Sequence, residues 1–309
     1  MATIEAHGLT KAFGERVAVR DLTLGVEEGE VLGLLGPNGA GKTTTIRMLA
    51  GMVAPTSGDA QVAGIRPDRE PERLHELIGL LTESPGFYER MSAWNNLEYF
   101  AGFYSEVDVR GQVEKYLKQM GLWDRRRDKV GAFSKGMKQK LALARALLHE
   151  PRVLFLDEPT AGLDPEAAQE VREMIRALSQ QGRTILLSTH NLAEAEQLCR
   201  RIAIIRTGLL ALDTPGALRQ RLFRRRAIVS LEVAERPVME AVEGLPFVSE
   251  VKQDGNQLII ELTEYETNLP QLVKCIVDAG GRVLGVSEDL HSLEDIYLTL
   301  VREEGSSGS

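Results

Sequence analysis

The chain has 309 residues, 43% of them hydrophobic and 27% charged, which is enough for one large globular domain and a smaller one. A net charge of -8 argues against whole-surface affinity for nucleic acid or anionic lipid. No segment reads as a signal peptide, no run approaches the ~20 apolar residues that span a bilayer, and two distant cysteines, Cys199 and Cys275, fit a reducing compartment better than a disulfide framework.

Residues 4–9 and 22–26 form short apolar-rich strands, and Glu28-Gly29-Glu30 turns the chain into the buried strand Val31-Leu32-Gly33-Leu34-Leu35. A glycine-rich loop and a helix over 43–50 follow, then a loop at Pro55-Thr56-Ser57-Gly58. Apolar spacing predicts helices over 94–104, 112–120 and 136–148, the last ending before Pro151. Strands at 152–156, 184–188 and 202–205 then alternate with helices at 166–180 and 192–199. That alternation implies a parallel sheet covered by helices, an α/β fold.

Composition changes near 218–226. Beyond it lie a strand at 227–233, a helix at 237–243, a hairpin of 247–253 and 257–262 across Asp254-Gly255-Asn256, a helix at 269–279, a strand at 283–286 and a helix at 292–301. The order βαββαβ is that of a ferredoxin-like plait. The expected domains are therefore 1–222, with a helical subdomain at about 84–150, and 223–304, followed by a flexible Gly/Ser tail at 305–309. The triplets Arg125-Arg126-Arg127 and Arg224-Arg225-Arg226 read as solvated faces, because no aromatic residues interleave them as a nucleic-acid site needs.

The strongest chemical signal is Gly36-Pro37-Asn38-Gly39-Ala40-Gly41-Lys42-Thr43, which follows a strand and opens a helix. Its glycines let successive N–H groups point at phosphate oxygens, and the helix N-terminus adds its positive end. Lys42 is placed for the β- and γ-phosphates, the Thr43 hydroxyl for Mg²⁺, and Thr44 continues the cradle. Next comes Val153-Leu154-Phe155-Leu156-Asp157-Glu158, an apolar strand ending in two acids that need partners. Neighbouring strand residues point to opposite sides, so Asp157 is assigned to Mg²⁺ and Glu158 to the attacking water as general base. These two motifs alone define a P-loop nucleoside triphosphatase.

Three further pieces occur in order: Phe133-Ser134-Lys135-Gly136-Met137 opening a helix, Ala161-Gly162-Leu163-Asp164 after the acidic pair, and Ser188-Thr189-His190 closing a strand. With them, residues 4–222 resemble the ATP-binding-cassette (ABC) ATPases. The resemblance implies that Phe13 stacks on adenine, and that Ser134 and Gly136 contact the γ-phosphate held by a second subunit. His190 touches that phosphate and supports Glu158, and Asp164 couples the two sites. Two departures stand out: Lys135 within the signature, and Glu83, a candidate Mg²⁺ contact, where the family carries glutamine. Both, with Glu83-Ser84-Pro85-Gly86-Phe87-Tyr88-Glu89-Arg90-Met91, are similar to the exporter branch with ABC-2 membrane subunits. Ser292-Leu293-Glu294-Asp295-Ile296-Tyr297 resembles the end of an accessory domain found there. The implied protein binds ATP and Mg²⁺, forms a dimer, and drives separate membrane permease subunits from the cytoplasmic face of the plasma (inner) membrane, with no nucleic-acid partner. The competing reading is a soluble ABC ATPase acting on ribosomes or DNA. A single cassette without an inserted coiled coil counts against it.

Overall fold

The structure, a computed structural model, describes residues 2–104, 107–222 and 225–289. The chain divides into two compact units between Thr214 and Pro215.

The first unit opens with a hairpin, β1 (Ala2–Phe13) and β2 (Arg16–Glu27), longer than the two runs that periodicity marks. Apolar side chains alternate inward along both strands, with Ile4, Ala6, Leu9, Leu22, Leu24 and Val26 buried. Next come β3 (Val31–Leu35), α1 (Lys42–Leu49) and β4 (Ser57–Val62). β4 pairs antiparallel with β1, so strand begins at the end of what composition marks as a loop. α2 (Pro71–His75) and β5 (Ile78–Leu81) follow. α3 (Ala93–Ala101), α4 (Val109–Gln119) and α5 (Lys135–Leu147) pack on one another. The last elements of the unit are β6 (Val153–Asp157), α6 (Pro165–Gln180), β7 (Thr184–Thr189), α7 (Leu192–Leu198), β8 (Arg201–Arg206) and β9 (Gly208–Asp213).

Two sheets result. β2-β1-β4 is antiparallel. The larger runs β5-β6-β7-β3-β8-β9, parallel except for the β8–β9 edge. β3, β6 and β7 are buried along their whole length, as the continuous apolar runs of a parallel sheet covered on both faces require. The core takes in Ile4, Leu22, Leu32, Leu34, Ile46, Phe155 and Leu186. At the foot of this sheet the buried Glu30 accepts two hydrogen bonds from Arg201, at 2.6 and 2.7 Å, tying β3 to β8. Burial alone raises the Glu30 pKa, but Arg201 and the Glu27 N–H outweigh that and hold it below the usual carboxylate range. Cys199 is buried and free. Burial pushes its thiol pKa up, so it behaves as a small hydrophobe.

The second unit comprises α8 (Pro215–Leu222), β10 (Arg226–Leu231), α9 (Arg236–Glu243), β11 (Val248–Asp254), β12 (Gln257–Leu262), α10 (Tyr265–Asp278) and β13 (Val283–Asp289). Its antiparallel sheet has the order β11-β12-β10-β13, the ferredoxin-like arrangement expected from βαββαβ. Ala227, Val229, Leu258, Ile260, Leu272 and Ile276 form its own core. α10 starts at Tyr265 rather than 269, running through Pro270. The helix expected over 292–301 and the 305–309 tail lie outside the described residues.

The arginine triplets are mostly occupied. Arg125 pairs with Asp128, the Arg126 guanidinium lies 4.1 Å from the Trp123 ring centroid, and Arg225 is held by Glu288 and Glu266. Arg224 lies outside the described residues. Among the described residues no helix is long and apolar enough to cross a membrane.

Candidate functional site

The loop between β3 and α1 wraps the start of the helix. Gly36 sits where a Cβ would come within 2.4 Å of the Ile205 carbonyl oxygen, so no larger residue fits. Gly41 takes φ +101°, and a Cβ there would come within 2.5 Å of the Ala18 oxygen. Gly41→Ala therefore strains the backbone and presses on β2. Strain of this kind costs about 1–3 kcal/mol, and a lowered thermal midpoint with weakened nucleotide binding is the expected result. An unchanged midpoint and affinity would contradict the geometry.

Lys42 is 5% exposed. Its ammonium donates to the Gly36 and Pro37 carbonyls at 2.7 and 3.2 Å and lies 3.2 Å from Glu158 Oε1. The other carboxylate oxygen of Glu158 meets His190 Nδ1 at 2.8 Å. Lys42, Glu158 and His190 thus converge from α1, the end of β6 and the end of β7. Glu158 has φ +51°, an uncommon conformation for a residue with a side chain. Its N–H donates to both the carbonyl and the hydroxyl of Ser188, each at 3.1 Å, which holds this backbone in place.

Asp157, the last residue of β6, is almost fully buried, whereas Glu158 lies just beyond the strand in its left-handed conformation, so simple strand alternation does not describe the pair. Its Oδ1 accepts from Thr43 Oγ1 at 3.1 Å and from Ser188 Oγ at 2.5 Å. The Thr43 hydroxyl and Asp157 carboxylate are hard oxygen donors set together beside the phosphate loop. That donor set suits Mg²⁺, which keeps waters and phosphate oxygens as its remaining ligands. Among the described residues no group of three or more His, Cys, Asp or Glu side chains is arranged to hold a metal unaided.

A cleft of about 540 Å³ gathers Phe13, Pro37, Asn38, Gly39, Gly41, Lys42, Thr43, Thr44, Glu83, Glu158 and His190. Phe13 is 53% exposed, so its ring is a surface platform, not core, with Lys11 Nζ 5.1 Å from its centroid. Glu83 lines the same cleft. Gly36 and Ala40 lie beneath it as the loop's inner turn, where the Ala40 N–H donates to the Pro37 carbonyl. Arg16 and Ala18 also line the cleft. Motif reading misses both, since they come from the β1–β2 hairpin and belong to no phosphate motif. The tight turn that ends at Arg16 is the only local signal of them.

Ser134, Gly136 and Asp164 do not line this cleft. Ser134 caps α5 by accepting from the Met137 N–H at 3.2 Å, Gly136 is buried in the first turn of that helix, and Asp164 caps α6 by accepting from the Ala167 N–H at 2.9 Å. Ser134 and Lys135, at the start of α5, are exposed. Lys135 Nζ lies against Gly162, bringing the signature next to the loop that ends at Asp164.

The comparisons with known proteins follow the same lines. The family model for ABC transporters matches residues 19–161. A model described as the C-terminal domain of ATP-binding proteins like DrrA1-3 matches residues 214–301. The bacitracin transport ATP-binding protein BcrA of Bacillus licheniformis is 36% identical over 300 residues, which is 96% of this chain and 97% of BcrA. The daunorubicin resistance ATP-binding protein DrrA2 of Streptomyces coeruleorubidus is 37% identical over 306 residues, 96% of this chain and 94% of DrrA2. A solved ATP-binding subunit of an ABC transporter superimposes with a TM-score of 0.65 at 32% identity, covering 71% of this chain and 92% of that one. With its phosphate loop, Glu158 and His190 on one cleft, and with relatives matching along nearly its whole length, this chain belongs to the ABC transporter ATP-binding proteins, the ATPases of that family.

Proposed function

We propose that two copies of this chain sandwich two ATP molecules and drive export through separate membrane permease subunits. The observation that carries the hydrolytic part is the Glu158 carboxylate, held between Lys42 at 3.2 Å and His190 at 2.8 Å at the mouth of the phosphate loop.

Asn38, Gly39 and Gly41 present backbone N–H groups to the phosphates, and Lys42 places its charge on the β- and γ-phosphates. Phe13 supplies the face on which adenine stacks. Thr43 and Asp157 would hold Mg²⁺, with Glu83 as a further oxygen donor from the same cleft, and the ion would neutralise phosphate charge. Glu158 takes the proton of the water that attacks the γ-phosphorus. His190 fixes the Glu158 carboxylate and reaches toward the same phosphate. Ser134 and Gly136 of the second copy close over that phosphate from the other side, and Asp164 relays between the two sites. Binding favours the closed dimer, and hydrolysis with phosphate release favours the open one.

The surface near Glu83 and Tyr88 is where the membrane subunit would dock. Exposed Tyr88, Tyr99 and Phe103 form an aromatic patch there, with Tyr88 and Tyr99 ring centroids 5.0 Å apart. Exposed aromatic patches of this kind mark interaction surfaces. The relatives named for bacitracin transport and daunorubicin resistance favour this role over a soluble ATPase of ribosomes or DNA. Affinity purification from gently solubilised membranes is expected to bring down a polytopic membrane protein in near-stoichiometric amount. Recovery of ribosomal proteins or DNA alone would overturn the transport role and leave the ATPase chemistry standing.

A further inference from the structure

Behind the catalytic cleft lies a buried carboxylate that the proposed chemistry does not use. Glu194 is 2% exposed. Its Oε1 accepts from the Thr160 hydroxyl and its Oε2 from the Thr189 hydroxyl, both at 2.6 Å. The Thr189 hydroxyl also accepts the Asn191 N–H at 2.9 Å, and the Asn191 side chain accepts the Glu194 N–H at 3.1 Å. A closed ring of bonds therefore runs through Thr189, Asn191 and Glu194, and His190 is the residue it brackets.

This differs from a simple capping box, in which the acid at the third helical position bonds the N-cap N–H. Here the Thr189 hydroxyl takes that N–H, which frees the carboxylate to turn inward and reach Thr160, 34 residues away in sequence. Thr160 stands two residues after Glu158. Its neighbour Pro159 is held as well, since Gln139 of α5 donates to the Pro159 carbonyl at 2.8 Å. A buried carboxylate is expensive to desolvate, and two hydroxyl bonds compensate it only in part. As a means of holding α7 in place it is a poor choice. As a rigid bridge between the backbone carrying Glu158 and the backbone carrying His190 it suits the geometry well.

We propose that Glu194 is a positioning residue for ATP hydrolysis. By gripping Thr160 and Thr189 together it sets the Glu158–His190 geometry on which proton transfer depends, while leaving nucleotide binding to the phosphate loop. The inference rests on the hydrolytic roles given to Glu158 and His190 above.

The test measures kcat for ATP hydrolysis and the Kd for ATP in the same preparations. Misplacing a catalytic group by about 1 Å can cost up to about 100-fold in rate, so Glu194→Ala is expected to lower kcat by about 10- to 100-fold with Kd unchanged. Glu194→Gln keeps one acceptor and gains a donor that either threonine hydroxyl can accept, so it recovers most of the rate. In a His190→Ala background, Glu194→Ala is expected to add little, because it acts through the same pair. If Glu194→Ala fails to fold, Thr160→Val removes one arm of the bridge at equal volume and is expected to lower kcat at unchanged Kd. A wild-type kcat in the folded Glu194 or Thr160 variant, whatever its thermal midpoint, would overturn the inference, as would a full additive loss in the His190→Ala background. Glu158→Gln serves as the control. If that variant hydrolyses at the wild-type rate, the hydrolytic reading itself fails. If it is inactive while the Glu194 and Thr160 variants are normal, only the positioning role is lost.

Discussion

Glu158→Gln is expected to bind ATP, to hydrolyse it about 10²- to 10⁴-fold more slowly, and to accumulate as an ATP-bound dimer. Glutamine has the shape of glutamate and keeps a hydrogen-bonding partner for His190, which lies 2.8 Å from the carboxylate. It cannot accept a proton from water. It also removes a negative charge that sits 3.2 Å from the Lys42 ammonium, close to where the triphosphate charge must lie. Binding is therefore preserved or improved while chemistry stops. Labelled-ATP titration, phosphate release and light scattering with and without ATP check the three parts separately. Hydrolysis at the wild-type rate would remove Glu158 from the mechanism.

Lys42→Ala is expected to have the opposite signature, with loss of binding as the first effect. The ammonium makes charge-assisted bonds to two loop carbonyls, at 2.7 and 3.2 Å. It is also the cationic partner of a carboxylate whose side chain is only 10% exposed. Removal subtracts the charge that meets the phosphates and leaves Glu158 nearly buried without its partner, which is strongly destabilising. A charged hydrogen bond is worth about 1.5–3 kcal/mol, so the Kd for ATP should rise by about 10- to 100-fold, with a lower thermal midpoint. Lys42→Arg should not restore either property, because a planar fork cannot occupy the niche of a compact ammonium. Unchanged affinity in Lys42→Ala would refute the assignment.

The phosphate loop and the paired acids are legible in sequence because each is a short local motif whose context, strand then loop then helix, is local too. The parallel core was legible for the same reason: β3, β6 and β7 are buried from end to end and read as unbroken apolar runs. The edges were not. β5 has four residues and β9 is an antiparallel edge strand with mostly half-exposed side chains, so neither has a clear period. Arg16 and Ala18 reach the cleft from a different sheet, and no spacing rule links a hairpin near the N-terminus to a loop 20 residues later. The Glu194 bridge was hidden in another way. Glutamate three residues after an asparagine reads as an ordinary helix cap, and only the fold reveals that its carboxylate faces Thr160. The exposure of Phe13 follows from its place at the hairpin turn, which a list of aromatic residues does not convey.

Each of the two units closes an apolar core of its own, one built from residues such as Leu34 and Phe155, the other from Val229 and Ile260. Packing in one does not have to be solved again when the other changes. In evolution such a chain can shed, acquire or exchange its trailing module, or tolerate rapid drift within it, while the sequence constraints on the ATP-binding unit stay as they were. The two halves are free to record different histories of selection.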